Sequence, residues 1–504
     1  MKINLFCDGA SINENSVRNM VLLYYPCETF SEKENAATTD SDSLTVRLTQ
    51  LGDGSLKAEV TLQKDGVGYS SCERETDITE KLDIFGIEKT LVGRAFLKCA
   101  EKAFGYLPPF GILSGVRPAK LVLPYVDGTE REFENLVRVF CGTYLTSEEK
   151  ARLICAVASR EKRLMNYLPK KSASLYVSVP FCPTRCRYCS FVSVSTKRLL
   201  SMIPDYVEKV AVELKKLSQL IKRLDIPITS VYFGGGTPSI LTEEQSAHLL
   251  GTVAKCFDLS HLREFTYEAG RPDTVTESKL RVLRNYGVDR VSINTQTAND
   301  EVLRSVGRMH TFGDYLGAME IAKKVGFKTI NTDLIAGLPS ESVESFCESV
   351  EKVMEVGPEN ITVHSLSMKR SSEYKIGKSF EFTEETRLAS DMLSFAESAL
   401  SSGGYSPYYI YRQKNTVGNL ENVGFSLDGH EGVYNICMME ELHSVFSVGA
   451  GAVTKLVSPD CSHIVRLFNH KYPYEYLSDD VRFKSKDTEE TTEKFYAEYF
   501  GEFQ

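Results

Sequence analysis

The sequence predicts an α/β protein whose centre is a partial (β/α)6 TIM-like barrel. From residue 171, short apolar runs alternate with amphipathic stretches, which indicates parallel strands joined by right-handed helical crossovers. The runs predicted as strands are 175–179, 230–233, 264–268, 290–294, 329–335 and 360–366. The stretches predicted as helices are 203–224, 243–256, 277–286, 312–325 and 343–356. In such a barrel, functional residues gather at the carboxyl ends of the strands.

The sequence on either side of the barrel predicts three further regions. Near the N-terminus, apolar and polar residues alternate on both sides of Asp53-Gly54, a pair that favours a hairpin turn. Apolar residues then recur at helical spacing, and Ser147 is a candidate helix N-cap. The predicted regions are a β-rich module of unknown role (1–85), a helical connecting region (86–170), the barrel (171–370) and a mixed α+β region that covers the substrate (371–504).

Composition and charge argue against several classes of protein. A formal net charge of −9 does not suit a general nucleic-acid binder, which needs a basic face. No run approaches the ~18 uncharged apolar residues of a membrane-spanning helix. The N-terminus reaches Asp8-Gly9 before the apolar core of a secretory signal can develop. Most of the 13 cysteines are scattered singly, as in reduced proteins. The sequence therefore predicts a cytoplasmic protein with no membrane span and no nucleic-acid partner.

Three cysteines lie close together in the loop after the first predicted strand. Cys182, Cys186 and Cys189 have C-x3-C-x2-C spacing, which lets three thiolates bind one small metal centre. A structural zinc site takes four protein ligands, and an iron–sulfur cubane also usually takes four cysteines. The next histidine along the chain is His248, far from the loop in sequence. Three ligands would leave one iron of a cubane open to a substrate or cofactor.

Polar residues and glycines follow the later strands. The second strand ends in Gly234-Gly235-Gly236, where a ligand can approach the main chain closely and pair with its N–H and C=O groups. Glu268, Gln296 and Asp333 end later strands, and Arg308 can bind a carboxylate with two hydrogen bonds. Each of these alone is equally typical of a tight turn, a cap or a salt bridge. Together on one rim they indicate a polar ligand site.

With the cysteine loop and the glycine triplet in this order, the chain resembles the radical S-adenosylmethionine (SAM) superfamily. Within it, the chain resembles the oxygen-independent coproporphyrinogen III oxidases, most closely the coproporphyrinogen dehydrogenases of HemZ type. The matching segments are 175–182, 234–238, Glu268, Gln296, Gly307-Arg308 and 333–339. Segments that match the HemZ type in particular are 115–118, 363–366, Lys369-Arg370 and 411–415. The motifs cover residues from about 111 to 455, and the first hundred or so residues match weakly.

The resemblance implies a radical SAM barrel and a role for each matching residue. Three residues would hold a [4Fe-4S] cluster, whose fourth iron binds the amino and carboxylate groups of SAM: Cys182, Cys186 and Cys189. Three would line this SAM: Tyr176, Gly235 and Glu268. Six match positions that hold a second SAM-like ligand: Tyr188, Gly236, Thr237, Gln296, Arg308 and Asp333.

The resemblance also implies radical decarboxylation of coproporphyrinogen III in porphyrin and haem biosynthesis. An electron from the cluster would cleave SAM, and the 5′-deoxyadenosyl radical would take a hydrogen atom from a propionate. Loss of CO2 and one further electron would leave a vinyl group. A low-potential donor such as flavodoxin or ferredoxin would reduce the cluster, and no protein residue is identified as catalytic. Candidate cations for the substrate propionates, each equally typical of a solvated charge, are Lys369, Arg370, Arg412 and Lys414.

The chain departs from the well-studied oxidases of this family in three places. Phe191 stands where these have a fourth cysteine, and Ser178 where a histidine is common in the first strand. The winged-helix ending of some relatives is expected to be missing or short. Two alternatives therefore stay open: a haem chaperone of the same family without oxidase activity, and a radical SAM enzyme acting on another tetrapyrrole. Candidate axial haem ligands are His310, His364 and His430.

Overall fold

The computed structural model describes residues 1–25, 42–78, 80, 82, 84–189, 191, 193–367, 382–413, 420–478 and 488–501. The chain divides into two units. The first unit comprises Met1–Ser159, Ile376–Arg387 and Tyr411–Leu420. The second comprises Arg160–Lys375, Leu388–Ile410 and Glu421–Gln504.

A four-stranded sheet opens the first unit. Its strands, in spatial order, are β1 (Lys2–Asp8), β2 (Ser43–Gln50), β3 (Leu56–Lys64) and β4 (Val67–Arg74). The hairpin predicted at Asp53-Gly54 is confirmed, because β2 and β3 pair antiparallel. Gly54 has a φ of 87°, in the left-handed region that glycine tolerates best. A short helix, α1 (Glu14–Val21), connects β1 and β2 in sequence and was not predicted; Asn13 accepts a hydrogen bond at its N-terminus.

Three longer helices follow this sheet, as predicted. They are α2 (Ile87–Phe104), α3 (Glu130–Tyr144) and α4 (Glu148–Met165). Helix α2 packs on β3 and β4, and its buried Arg94 pairs through Nε with Glu73 Oε2 at 2.8 Å. Arg94 also donates to the carbonyl of Thr143 at 2.9 Å, which ties α2 to α3. Ser147 caps α4 as predicted, since its Oγ accepts the N–H of Lys150 at 3.3 Å.

Six parallel strands in the second unit confirm the predicted fold class. They pair in sequence order and are β5 (Ala173–Val179), β6 (Ile228–Gly235), β7 (Glu264–Glu268), β8 (Arg290–Ser292), β9 (Thr329–Ala336) and β10 (Asn360–Ser365). The helices between them are α5 (Lys197–Leu200), α6 (Ile203–Arg223), α7 (Glu243–Cys256), α8 (Glu277–Asn285), α9 (Asp300–Ser305), α10 (Phe312–Val325) and α11 (Val343–Val356). The short helices α5 and α9 were not predicted.

Further strands extend this sheet on both sides to eleven. Beyond β10 lie β12 (Glu421–Ser426), antiparallel to it, and then β11 (Ser406–Arg412). Beyond β5 lie β13 (Ser444–Val448), parallel to it, then β14 (Val453–Val457) and β15 (Ile464–Phe468). The last helices are α12 (Phe382–Ser402), α13 (Val433–Glu440), α14 (Pro473–Leu477) and α15 (Thr488–Phe500). Within the described residues, every helix is too short or too polar to cross a bilayer.

Buried polar contacts lie at the amino ends of the barrel strands. The His443 ring bonds Ser172 Oγ through Nδ1 at 3.1 Å and Ser174 Oγ through Nε2 at 2.7 Å. Burial lowers the pKa of His443 to about 4, so the ring is neutral in the folded protein at pH 7. Across the barrel, Arg290 donates to the carbonyl of His430 at 2.9 Å, which joins β8 to the segment before α13.

Candidate active site

Main-chain hydrogen bonds fix the cysteine loop at the carboxyl end of β5. The N–H of Cys182 donates to the carbonyl of Val194 at 3.0 Å, and the N–H of Val194 donates to the carbonyl of Pro180 at 3.0 Å. Within the loop, the N–H of Cys189 donates to the carbonyl of Cys186 at 3.1 Å. The three cysteines therefore lie on a loop whose two ends are joined by hydrogen bonds, at the edge of the barrel where the sequence predicted a site.

Two of the three sulfurs accept hydrogen bonds from residues beyond other strands. Thr237, just after β6, donates through Oγ1 to Cys182 Sγ at 3.4 Å. Arg271, after β7, donates through Nη1 to Cys186 Sγ at 3.7 Å. The buried Arg271 side chain is held by both carboxylate oxygens of Asp273, at 3.1 and 3.2 Å. Sequence reasoning missed Arg271, although a cation directly after a predicted strand end was an available signal.

The three thiols fit a [4Fe-4S] cluster, in which each thiolate binds a different iron. All three cysteines are free and half-buried. Burial raises the pKa of the Cys182 thiol and raises that of the Cys189 thiol to about 11. These thiols would lose their protons on binding a cationic centre. The thiolates of Cys182 and Cys186 would then accept the hydrogen bonds from Thr237 and Arg271. Among the residues that the structure describes, no three His, Cys, Asp or Glu side chains are grouped to hold a single metal ion.

The glycine triplet packs against the start of the cysteine loop and leaves no room for side chains. A Cβ on Gly236 would lie 2.6 Å from the carbonyl oxygen and 2.8 Å from the nitrogen of Phe181. Gly235 has a φ of 111°, and a Cβ there would lie 3.1 Å from Ser178 Oγ and 3.5 Å from the Tyr176 hydroxyl. The structure therefore brings the bare main chain of the triplet beside Tyr176.

Glu268 lies next to this glycine edge among buried tyrosines. The Tyr232 hydroxyl donates to Glu268 Oε1 at 2.6 Å. Burial raises the pKa of Glu268 to about 7, while the Tyr232 hydrogen bond opposes the shift. The Tyr232 ring stacks on Tyr434 of α13 at 4.4 Å and on Tyr176, its register partner in β5, at 6.1 Å. The sequence analysis missed Tyr232 and Tyr434. Tyr232 lies beside Tyr176 because of the strand register, and Tyr434 reaches them because α13 packs against β6.

Hydrogen bonds that pass through Asn294 link four of the six residues of the second predicted set: Tyr188, Gln296, Arg308 and Asp333. Arg308 donates through Nε to the Tyr188 hydroxyl at 3.1 Å and through Nη1 to the carbonyl of Asn294 at 2.5 Å. Gln296, with a φ of 75°, donates its N–H to the carbonyl of Asp333 at 2.9 Å. Asn294 bonds Asp333 Oδ2 through Nδ2 at 2.7 Å. These contacts join the cysteine loop to the ends of β8 and β9.

The Asp333 carboxylate stays ionised in this buried setting. Burial alone would raise the pKa of Asp333, but hydrogen bonds from His364 and Asn331 and the charge of Arg308 lower it overall. Asn331 donates through Nδ2 to Asp333 Oδ1 at 2.9 Å, and His364 Nε2 lies 3.8 Å from Oδ2. An anionic acceptor beside a buried guanidinium can bind a ligand that carries both an ammonium and a carboxylate group.

Of the cations predicted to bind the substrate propionates, Arg412 alone lies within the described residues, and Lys369, Arg370 and Lys414 lie outside them. Arg412 is buried in the first unit with its guanidinium over the Phe110 ring at 4.3 Å, and it donates to the carbonyl of Leu113. Its N–H donates to the carbonyl of Val116 at 2.8 Å. These contacts hold the Arg412 side chain and main chain within the first unit.

The three histidines considered as haem ligands have different surroundings. His430 lies at the amino ends of the strands, where Thr329 Oγ1 bonds its Nδ1 at 2.9 Å, so it is at the opposite end of the barrel from the cysteine loop. His310 is buried, and burial and the nearby charge of Arg308 lower its pKa to about 3. His364 lies in β10 beside Asp333. Of the three, only His364 is both partly exposed and in contact with the predicted site residues.

Two of the three departures from the well-studied oxidases are single residues, Ser178 and Phe191, and the structure describes both. The Ser178 hydroxyl donates to the carbonyl of Ala450 at 2.8 Å, and the carbonyl of Ser178 accepts the Tyr206 hydroxyl at 2.9 Å. Ser178 thus ties β5 to the loop after β13 and to α6. Phe191 is exposed.

Known proteins of one superfamily are similar to this chain. A sequence model of the Radical SAM superfamily matches residues 176–353. The chain is 35% identical over 431 residues to the "Oxygen-independent coproporphyrinogen-III oxidase-like protein HemZ" of Bacillus subtilis, covering 83% of this chain and 85% of the relative. It is 31% identical over 286 residues to the "Heme chaperone HemW" of Lactococcus lactis, covering 56% of this chain and 69% of that protein.

A solved structure of coproporphyrinogen III oxidase (HemN) from Escherichia coli, described as a radical SAM enzyme, also matches. It has a TM-score of 0.46 and 21% identity, and the match covers 62% of this chain and 70% of that one. Proteins of the radical SAM superfamily use a [4Fe-4S] cluster and SAM as cofactors. Because the HemZ match spans most of both chains, this chain belongs to the radical SAM superfamily and, within it, to the family of the coproporphyrinogen-III oxidase-like protein HemZ.

Proposed function

We propose that the protein is an oxygen-independent coproporphyrinogen III oxidase (dehydrogenase) that converts propionate side chains to vinyl groups in porphyrin and haem biosynthesis. The observation that carries the proposal is the convergence of the cysteine loop, the glycine triplet and the Arg308–Asp333 set on one edge of the barrel. The similarity to HemZ over most of the chain supports it.

The residues around the first SAM would bind and orient it. When bound, the cluster and SAM supply reductive C–S cleavage and thereby a carbon-centred radical. Cys182, Cys186 and Cys189 would hold the cluster, with the Thr237 and Arg271 hydrogen bonds directed at two of the sulfurs. The carboxylate of Glu268, oriented by the Tyr232 hydroxyl, would accept the ammonium group of SAM, beside the main chain of the glycine triplet.

The residues around Arg308 and Asp333 would hold a second SAM-like ligand. Arg308 offers a buried guanidinium to a carboxylate, and Asp333 offers an anionic acceptor to an ammonium group. Tyr188 and Gln296 link this pair to the cysteine loop and to the end of β8. The buried position of these groups keeps water from them, which strengthens their interactions with a charged ligand.

The second candidate function is that of a haem chaperone of the same family. The identity to HemW proteins and the presence of Phe191 in place of a fourth cysteine favour it. Under this alternative the cluster and SAM are retained, and His364, beside Asp333, is the best-placed axial ligand for haem.

Anaerobic incubation of the reconstituted protein with coproporphyrinogen III, SAM and dithionite separates the two functions. We expect protoporphyrinogen IX, CO2 and 5′-deoxyadenosine as products, measured by chromatography, and no product from Cys186→Ser. Deoxyadenosine without protoporphyrinogen would indicate another tetrapyrrole substrate. Stable haem binding with neither product, lost in His364→Ala, would establish the chaperone instead.

A further inference from the structure

The surface beside the cysteine loop carries large apolar side chains in contact with solvent. Met309 and Phe191 are the most exposed large apolar residues among those that the structure describes, at 73% and 69% exposure. Phe191 follows Cys189 by two residues, and Met309 follows Arg308, which bonds Tyr188 of the cysteine loop. Large apolar side chains exposed on an otherwise polar surface are typical of a contact site for another molecule.

Exposed arginines lie in the same two segments, which contact each other directly. The N–H of Arg187 donates to the carbonyl of Val306 at 3.0 Å, and Arg187 Nη1 donates to the carbonyl of Ser305 at 3.1 Å. Thr184 Oγ1 donates to the carbonyl of Gly307 at 3.4 Å. We call the exposed residues of these two contacting segments the loop-edge patch; they are Arg185, Arg187, Phe191, Arg304 and Met309.

The loop-edge patch contains three arginines and no acidic residue, on a protein whose net charge is −9. Residues 182–204 contain two arginines in the loop, two further cations at Lys197 and Arg198, and no acidic residue. Residues 302–313 contain Arg304 and Arg308 and again no acidic residue. The acids nearest in sequence flank these segments and are Asp205, Asp300, Glu301 and Asp314. A local excess of one sign of charge steers partners of the opposite sign and raises their rate of association.

We propose that the loop-edge patch is the docking surface for an acidic protein that carries single electrons. The inference rests on the proposed function only in that a cluster held by the cysteine loop must receive one electron for each SAM cleaved. The donor would be oxidised by one electron and the cluster reduced by one. A donor seated on Arg185 and Phe191 would lie against the loop that holds the cluster ligands. Small surfaces with a few apolar residues among charges suit such transient redox complexes, which bury less than about 1,200 Å².

The test measures cluster reduction without any tetrapyrrole. The reconstituted full-length protein is mixed anaerobically with photoreduced flavodoxin, an acidic one-electron carrier, and the cluster absorbance is followed by stopped flow at several salt concentrations. The test variant is Arg185→Glu/Arg304→Glu, and the control is Lys352→Glu on α11, an exposed cation paired with Glu348. Dithionite reduction and iron content are measured in parallel for each protein.

We expect the double variant to be reduced by flavodoxin at least about tenfold more slowly at low salt and to lose the salt dependence of the wild type. Dithionite reduction, iron content and the control variant should be unchanged. Reduction by flavodoxin at the wild-type rate would overturn the proposal, as would a parallel loss of iron or of dithionite reduction, which would indicate a role in holding the loop.

Two further outcomes distinguish this inference from the proposed function. If flavodoxin reduces the double variant normally but coproporphyrinogen III turnover is lost, the patch receives the tetrapyrrole and the docking proposal is wrong. If flavodoxin reduction responds to the charge reversal but no protoporphyrinogen forms in any protein, the docking surface is supported and the oxidase function is not.

Discussion

The close packing of Gly236 against Phe181 gives a sharp prediction for Gly236→Ala. The new Cβ would lie 2.6 Å from the Phe181 carbonyl oxygen, a main-chain atom that cannot rotate away. The two backbones would have to separate by about 0.8 Å to restore ordinary van der Waals contact. Overpacking of this kind costs about 1–3 kcal/mol of folding free energy. Because Phe181 precedes Cys182, the shift would also move the cysteine loop away from Thr237, and a displacement of about 1 Å at a reacting centre costs roughly 100-fold in rate.

Deoxyadenosine formation from SAM with dithionite, measured together with iron content and thermal unfolding, checks this prediction. Gly270→Ala is the matched control, since a Cβ on Gly270 meets no atom within 4 Å. We expect Gly236→Ala to lose roughly 100-fold in SAM cleavage while Gly270→Ala keeps wild-type cleavage. Wild-type cleavage in Gly236→Ala would refute the reasoning that this contact positions the loop.

Three further predictions concern stability. A Cβ on Gly111 (φ 53°) would collide with the Tyr144 carbonyl, so Gly111→Ala should destabilise the protein by about 3 kcal/mol or more in denaturant unfolding. The control is Gly142→Ala on α3, where a Cβ would meet no atom within 4 Å, and it should stabilise the protein by up to about 1 kcal/mol. Burial raises the pKa of Glu341 from 4.5 to about 7, so the contribution of this group to the free energy of unfolding is most favourable below pH 4.5 and is lost as the pH rises to 7. The free energy of unfolding of Glu341→Gln, relative to that of the wild type, should therefore be about 3 kcal/mol higher at pH 8 than at pH 4.5. Burial lowers the pKa of His443 from 6.5 to about 4, so the contribution of the neutral ring to the free energy of unfolding is complete above pH 6.5 and is lost as the pH falls to 4. This loss of about 3 kcal/mol in the wild type should be absent from His443→Gln. An unchanged pH profile in either of the last two variants would contradict its predicted linkage.

The barrel was predictable because its strands and longer helices have strong periodicity. The predicted strand 264–268 and the predicted helices 243–256, 312–325 and 343–356 coincide with β7, α7, α10 and α11. The helices α1, α5 and α9 were missed because eight or fewer residues show too few repeats of the helical period. Predicted strand 290–294 ends early, at Ser292, and the chain pairs with β9 again only at Gln296, which has a positive φ and forms a parallel bridge to Leu334.

The candidate site was only partly predictable, because side-chain neighbours depend on register and burial. The motifs located the cysteines, Glu268 and Arg308, but not the Tyr232 hydroxyl that orients Glu268 or the Arg271 guanidinium that reaches Cys186. Tyr232 meets Glu268 through the pairing of β6 with β7, whereas Arg271 lies beyond the end of β7, where a cation after a strand was the only signal. Arg412 was a candidate cation for the substrate propionates, and its sequence position gave no sign that the side chain is buried over an aromatic ring.

The parallel pairing of β5 with β13 has a consequence for the order of assembly. The strand that leads into the cysteine loop gains its second neighbour from a segment made far later, and the Ser178–Ala450 hydrogen bond alone spans 272 positions. During synthesis on the ribosome, the cysteines therefore emerge long before β13, the strand that pairs with β5. Until β13 is made, this side of β5 is an unpaired sheet edge. We expect cluster insertion to follow release of the completed chain, and protein truncated before Ser444 to be isolated without iron.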